Sequence, residues 1–130
     1  MRLTLMYLLT FCFTLFLMLS CSTSTTESNS ITNISVAEFN KKMNESDVVI
    51  LDVRTPAETA QGMIPGAIKM NIQEPDFDDQ IKKLDPEKTY LVYCKAGGRS
   101  SRACSKMEGF GMKKLYNLEG GYTAWESARE

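Results

Sequence analysis

Histidine is absent from all 130 residues. Its absence removes imidazole general bases, imidazole metal ligands and every Ser-His-Asp or Cys-His arrangement. Basic clusters are missing too: no run of Lys or Arg exceeds two residues, and the formal net charge is −1. Nucleic acid is therefore not an expected partner. No internal repeat is visible. What remains is ordinary for a globular chain, with 24% charged and 43% hydrophobic residues, enough for a single domain.

One long apolar run is present, from Leu3 to Leu19, broken only by Thr4, Thr10 and Thr14 and preceded by Arg2. A positive start, an apolar stretch and the small pair Ser20-Cys21 describe a secretory signal over residues 1–20. Leu17-Met18-Leu19-Ser20-Cys21 resembles the lipobox of bacterial lipoproteins, with Met where that family usually has Leu. The resemblance implies cleavage before Cys21, a diacylglyceryl group on its thiol, and a protein anchored through lipid on the periplasmic side of the bacterial cell envelope. An uncleaved N-terminal helix is the alternative anchor, since the run sits at the short edge of a membrane span. The next charge is the acidic Glu27, and a stop-transfer helix usually has basic residues there, which favours the lipoprotein. Residues 22–30 contain no hydrophobic side chain and read as a flexible tether. From residue 21 onward 14 basic and 16 acidic residues remain, a balance of −2. The globular domain is expected over 31–130.

Strand and helix patterns alternate through that domain. Ser35 and Glu38 form a capping-box pattern before Val36, Phe39 and Met43 on one helical face. Val48-Val49-Ile50-Leu51 reads as a strand buried on both faces. Thr55-Pro56-Ala57-Glu58 places an N-cap, a first-turn Pro and an acid in order. Residues 67–72 suit a short strand, and Phe77, Ile81 and Leu84 repeat at helical spacing before Asp85-Pro86. Thr89–Tyr93 is the next strand, with Cys94 at its C-terminal end. A helix is expected over 100–110, a last strand at Lys114–Leu118, and a final helix opened by Gly120-Gly121. Such alternation specifies an α/β fold, a central parallel sheet with helices on both faces.

The chemistry-bearing stretch is Cys94-Lys95-Ala96-Gly97-Gly98-Arg99-Ser100. Ligands of open α/β sheets sit beyond the strand C-termini. A helix begins there, its first amides lack internal partners, and Gly97 and Gly98 permit an amide-lined concavity. With Lys95 and Arg99 nearby, that setting favours thiolate and lowers a cysteine pKa from about 8.5 toward roughly 3.5–7.5.

This loop resembles the active-site loop of the rhodanese family. Leu51-Asp52-Val53-Arg54-Thr55-Pro56-Ala57-Glu58, Ile64-Pro65-Gly66-Ala67 and Leu118-Glu119-Gly120-Gly121-Tyr122-Thr123-Ala124-Trp125 resemble its flanking signatures, in order and across 31–130. The resemblance implies a rhodanese-like fold and a sulfurtransferase with Cys94 as the persulfide-forming nucleophile. Sulfane sulfur would pass from a small donor such as thiosulfate to a thiol or cyanide acceptor. Lys95, Ala96, Gly97, Gly98, Arg99 and Ser100 would line the substrate cradle, and Asp52 and Arg54 would support the site. No cofactor and no metal are implied. The chain departs from the family at Thr59, commonly aromatic, and Met63, commonly His, where altered packing or partner contacts are expected.

Other readings exist. Cysteine phosphatases place five residues between Cys and Arg, whereas four stand between Cys94 and Arg99, a smaller cradle that suits sulfur. Inactive family members serve as binding or redox-sensing modules, but those usually lack the loop Cys. A Cys94–Cys104 disulfide is disfavoured because Cys104 lies along the helix leading away from the loop. Cys104 is expected instead as a small packing residue beside Ala103 and Met107, and Trp125 as a core anchor. Asp76, Asp78 and Asp79 read as acids at a helix start rather than a metal site.

Overall fold

The computed structural model describes residues 30–130. The expected signal peptide, Cys21 and residues 22–29 of the tether lie outside the described residues. Among the described residues, no helix is long and apolar enough to cross a membrane.

Five strands form one parallel sheet: β1 (Ile31–Ile34), β2 (Val48–Asp52), β3 (Ile68–Lys69), β4 (Thr89–Tyr93) and β5 (Lys114–Leu118), in the order β1-β5-β4-β2-β3. Parallel neighbours need long crossovers. These are supplied by α1 (Val36–Lys42), α2 (Pro56–Thr59), α3 (Phe77–Ile81) and α4 (Gly98–Gly109), and α5 (Gly121–Ser127) closes the chain.

The helices cover both faces. Beneath α3 and α4, Phe77, Ile81, Ala103, Cys104 and Met107 pack on Leu51, Val92 and Leu115. On the opposite face, Phe39 of α1 and Trp125 of α5 pack on Ile50, Leu91, Tyr93 and Leu118. Successive residues of central β4 feed opposite layers, the period-two consequence of a pleated strand, so the whole run must be apolar or aromatic. Trp125 anchors its layer as expected, stacked on Tyr122 at 5.8 Å with its indole N–H donating to Asn40 Oδ1 at 2.9 Å.

Both expected capping boxes form, Ser35 with Glu38 and Thr55 with Glu58. Other local expectations shift. The strand expected over 67–72 is reduced to Ile68–Lys69, both exposed, because it lies at the sheet edge and pairs only with β2. The helix expected over 100–110 begins two residues earlier, at Gly98. Strand β1 carries no strong sequence signal: Thr32 and Asn33 are exposed and polar, and its placement comes from pairing with β5.

This topology brings functional residues together. The C-terminal ends of β2, β4 and β5 lie side by side, which places Asp52, Cys94 and Leu118 at one edge of the sheet. That edge is where ligands of open parallel sheets bind.

Candidate active site

Cys94 leaves β4 directly into a tight loop and is buried. Its sulfur accepts a hydrogen bond from the Gly97 amide at 3.1 Å and lies 3.4 Å from the Ser100 hydroxyl. Burial alone raises the thiol pKa. The Ser100 hydroxyl and the amides of Ser100, Gly97 and Ala96 more than offset that, and Cys94 sits below the ordinary thiol value. The Ser100 hydroxyl has a second acceptor, the Gly97 carbonyl at 3.0 Å. Its single proton serves the sulfur when that sulfur is an acceptor-only thiolate.

The loop holds this shape for two reasons. Gly97 is the N-cap of α4 with φ of 105°, a left-handed conformation that favours glycine. In addition, the start of α5 grips the other side of the loop. Tyr122 N–H donates to the Cys94 carbonyl at 2.7 Å and Thr123 N–H to the Lys95 carbonyl at 3.1 Å. With these carbonyls turned toward α5, the amides that follow face the sulfur. Gly121 makes the approach possible: a Cβ there would lie 2.5 Å from the Cys94 carbonyl oxygen and 2.7 Å from the Ala96 nitrogen, at a φ of 57°.

One expectation about the loop needs correction. Gly98 needs no special conformation, since it is absent from the positive-φ glycines and a Cβ there would meet nothing within 4 Å. The largest influences lowering the Cys94 pKa are the Ser100 hydroxyl and the amides of Ser100, Gly97 and Ala96, while Lys95 is exposed and is among the residues lining a neighbouring cleft. Arg99 does stand by the sulfur, and the charge of Cys94 is one of the influences that raise its own pKa. The main one is Glu58.

Glu58 is the residue that sequence reasoning missed. Its carboxylate takes Arg99 in a two-pronged grip, Nη1 to Oε2 at 2.8 Å and Nη2 to Oε1 at 2.6 Å. The same carboxylate accepts from the Thr55 amide and hydroxyl at 3.1 and 2.8 Å. Hydrogen bonds from Arg99 chiefly lower its pKa, to about 2, against the opposing effect of burial. Helix α2 is thereby tied to the loop across the site. Thr59, in place of an aromatic, is buried at the end of α2 with its hydroxyl donating to the Pro56 carbonyl at 3.1 Å.

Asp52 and Arg54 form a buried pair behind this layer. Arg54 Nη2 lies 2.7 Å from Asp52 Oδ2 and also donates to the Gly62 carbonyl at 2.7 Å. Its guanidinium lies over the Tyr122 ring, 4.1 Å from the centroid. Tyr93 joins through its hydroxyl, which accepts from the Ile64 amide at 3.0 Å. Burial first, then the Asp52 carboxylate, push the Tyr93 pKa up, so the phenol stays neutral. Asp52 and Arg54 thus fix the turn over Gly62 and the aromatic platform beneath α5.

Beside the loop opens a cleft of about 180 Å³, its lining including Arg54, Glu58, Gln61, Lys95, Tyr122 and Glu126. Cys94 is not part of that lining; the nearest loop residue is Lys95. Cys104 is a free thiol like Cys94, buried on α4 against the sheet as expected, and burial chiefly pushes its pKa up to about 12. Among the described residues no group of three or more His, Cys, Asp or Glu could hold a metal; Asp78 pairs with Lys106 at 2.9 Å and Asp79 with Lys82 at 2.8 Å.

Three outcomes follow from this geometry. At neutral pH an alkylating agent should modify Cys94 of the native chain and spare Cys104, and Ser100→Ala should slow the Cys94 reaction; peptide mapping over time reads both. Equal labelling of the two cysteines would contradict the assignment. Gly121→Ala should keep the fold but cut Cys94 reactivity roughly tenfold or more, the penalty of a displaced reacting group, as measured by the same labelling with circular dichroism as control. Glu58→Gln should lower stability by about 1 kcal/mol at pH 7, as for a partly exposed ion pair. Because the folded-state pKa of Glu58 is depressed, its contribution is complete above the ordinary carboxylate range and is lost as pH falls toward about 2. The variant and the native chain should therefore converge in denaturation midpoint at low pH; a gap that persists in acid would exclude the ion pair as its source.

Comparison with known proteins agrees with this architecture. The rhodanese-like domain matches residues 35–128. A protein of Allochromatium vinosum named sulfurtransferase is 37% identical over 79 residues, covering 61% of this chain and 72% of its own length. The thiosulfate sulfurtransferase GlpE of Pseudoalteromonas translucida is 31% identical over 103 residues, covering 74% of this chain and 90% of its own. A crystal structure of a rhodanese-like domain protein from Staphylococcus aureus superposes with a TM-score of 0.65 at 34% identity, over 72% of this chain and 90% of that one. The parallel sheet with Cys94 at the end of its central strand, the amide-lined loop and these likenesses agree, and the chain belongs to the rhodanese-like domain family.

Proposed function

We propose that the protein is a sulfurtransferase that carries sulfane sulfur on Cys94. The observation that supports this most directly is the surroundings of the Cys94 sulfur: hydroxyl and amide donors converge on it and lower its pKa without imidazole. A thiolate so held is a nucleophile, and the same donors stabilise the anionic terminal sulfur of a persulfide.

In the first half-reaction the Cys94 thiolate attacks the outer sulfur of a thiosulfate-type donor. A bond forms between the two sulfurs, the donor's own S–S bond breaks, and sulfite leaves with the electron pair. In the second, an acceptor thiolate or cyanide attacks the terminal sulfur and Cys94 departs as thiolate. Asp52, Arg54 and Glu58 act as positioning residues. Glu58 occupies Arg99 and keeps it beside the sulfur without leaving its full charge free to trap an anion. The four-residue span from Cys94 to Arg99 favours sulfur over a tetrahedral phosphate.

The reading of residues 1–21 extends the proposal to place: a lipid on Cys21 would hold the domain at the bacterial cell envelope, on the periplasmic side. Incubating the full chain with thiosulfate should add one sulfur atom to its intact mass, and Cys94→Ser should abolish the gain. Release of phosphate from an aryl phosphate with no sulfur gain would favour a phosphatase instead.

A further inference from the structure

The cleft beside the loop has a charge pattern that the donor does not explain. Four charged side chains line it, Arg54, Glu58, Lys95 and Glu126. Two of them are already committed: Arg54 to Asp52 at 2.7 Å and Glu58 to Arg99 at 2.6 Å. Lys95 and Glu126 are exposed, and neither is in a salt bridge among the described residues. Among the described residues, the cleft therefore offers one cation and one anion outside any salt bridge. A dianionic donor gains at Lys95 but is repelled at Glu126. A zwitterion gains at both.

Their placement gives a direction. Lys95 directly follows Cys94, and its carbonyl is held by the Thr123 amide. Glu126 lies three residues further along α5, about 4.5 Å of helix rise away. A carboxylate beside Lys95 and an ammonium toward Glu126 would thus place the ligand beside the loop that carries Cys94. At about 180 Å³ the cleft falls below the roughly 300–1,000 Å³ of sites for drug-sized ligands, which matches a ligand of amino-acid size.

We propose that this cleft is the acceptor subsite, and that the acceptor is a small zwitterionic thiol carrying both a carboxylate and an ammonium, of which cysteine is the simplest. The inference rests on the sulfurtransferase reading. The acceptor thiolate attacks the terminal sulfur of the Cys94 persulfide, a new S–S bond forms on the acceptor, and the bond to Cys94 Sγ breaks with its electron pair returning to Cys94. The product is the acceptor persulfide, and no external oxidant or reductant is required. Lys95 and Glu126 are specificity residues in this scheme.

The test uses the full chain, loaded with sulfur from thiosulfate and checked by intact mass in every variant. Discharge of the loaded protein is then timed with cysteine, with cysteamine, which lacks the carboxylate, and with 3-mercaptopropionate, which lacks the ammonium. Comparing rate ratios between variants cancels the intrinsic reactivity of each thiol. In Glu126→Gln the cysteine to 3-mercaptopropionate ratio should fall roughly three- to fivefold, the size of a solvent-facing ion pair, with the cysteine to cysteamine ratio unchanged. Lys95→Gln should give the opposite pattern. Unchanged ratios in both variants, on protein that loads normally, overturn this inference and leave the sulfurtransferase reading standing. Failure of the native chain to load overturns both.

Discussion

The site depends on the way the first turn of α5 holds the loop after β4. Two amides, Tyr122 and Thr123, take the carbonyls of Cys94 and Lys95. A peptide plane is rigid, so fixing where its carbonyl points also fixes its N–H. Holding the Lys95 carbonyl thereby orients the Ala96 amide, one of those that lower the Cys94 pKa. Orphan donors at a helix start are normally left to solvent or to a capping side chain. Here Gly120, the N-cap of α5, provides no side-chain cap, and the loop carbonyls take its place. One set of hydrogen bonds completes a helix and shapes an anion site.

A second constraint operates from the opposite side. Glu58 spends one carboxylate oxygen on both the cap of α2 and Arg99, and the other on Arg99 alone. Removing the carboxylate would release the loop arginine and loosen the start of α2 together. The buried Asp52–Arg54 pair anchors this side further, since its guanidinium also supports the Tyr122 ring and the Gly62 carbonyl. A buried ion pair is costly to assemble. Here its additional partners offset part of that cost and join three segments behind one sulfur.

Much of this was legible in the sequence. The buried strands, the capping boxes at Ser35 and Thr55, the position of Cys94 and the packing role of Cys104 follow from local patterns whose physics acts within a few residues. The features that were not legible act over distance. Glu58 and Arg99 are 41 residues apart, and the local role of Glu58 as a capping acid conceals its second partner. Strand β1 is polar at Thr32 and Asn33, so only its pairing with β5 defines it. Gly98 looks like a partner in loop flexibility, yet only Gly97 needs the left-handed conformation. Among the residues that carry the family resemblance, Gly121 is the one whose close approach to the loop no Cβ would allow without a shift.

The chemistry rests on a sulfur whose ionisation is favoured by backbone amides and one hydroxyl. Thiolate ultraviolet absorbance across a pH series, taken as the difference between the native chain and Cys94→Ser, measures that ionisation directly. A single transition below the ordinary thiol pKa of about 8.5 is the predicted result. A transition at or above that value would contradict it.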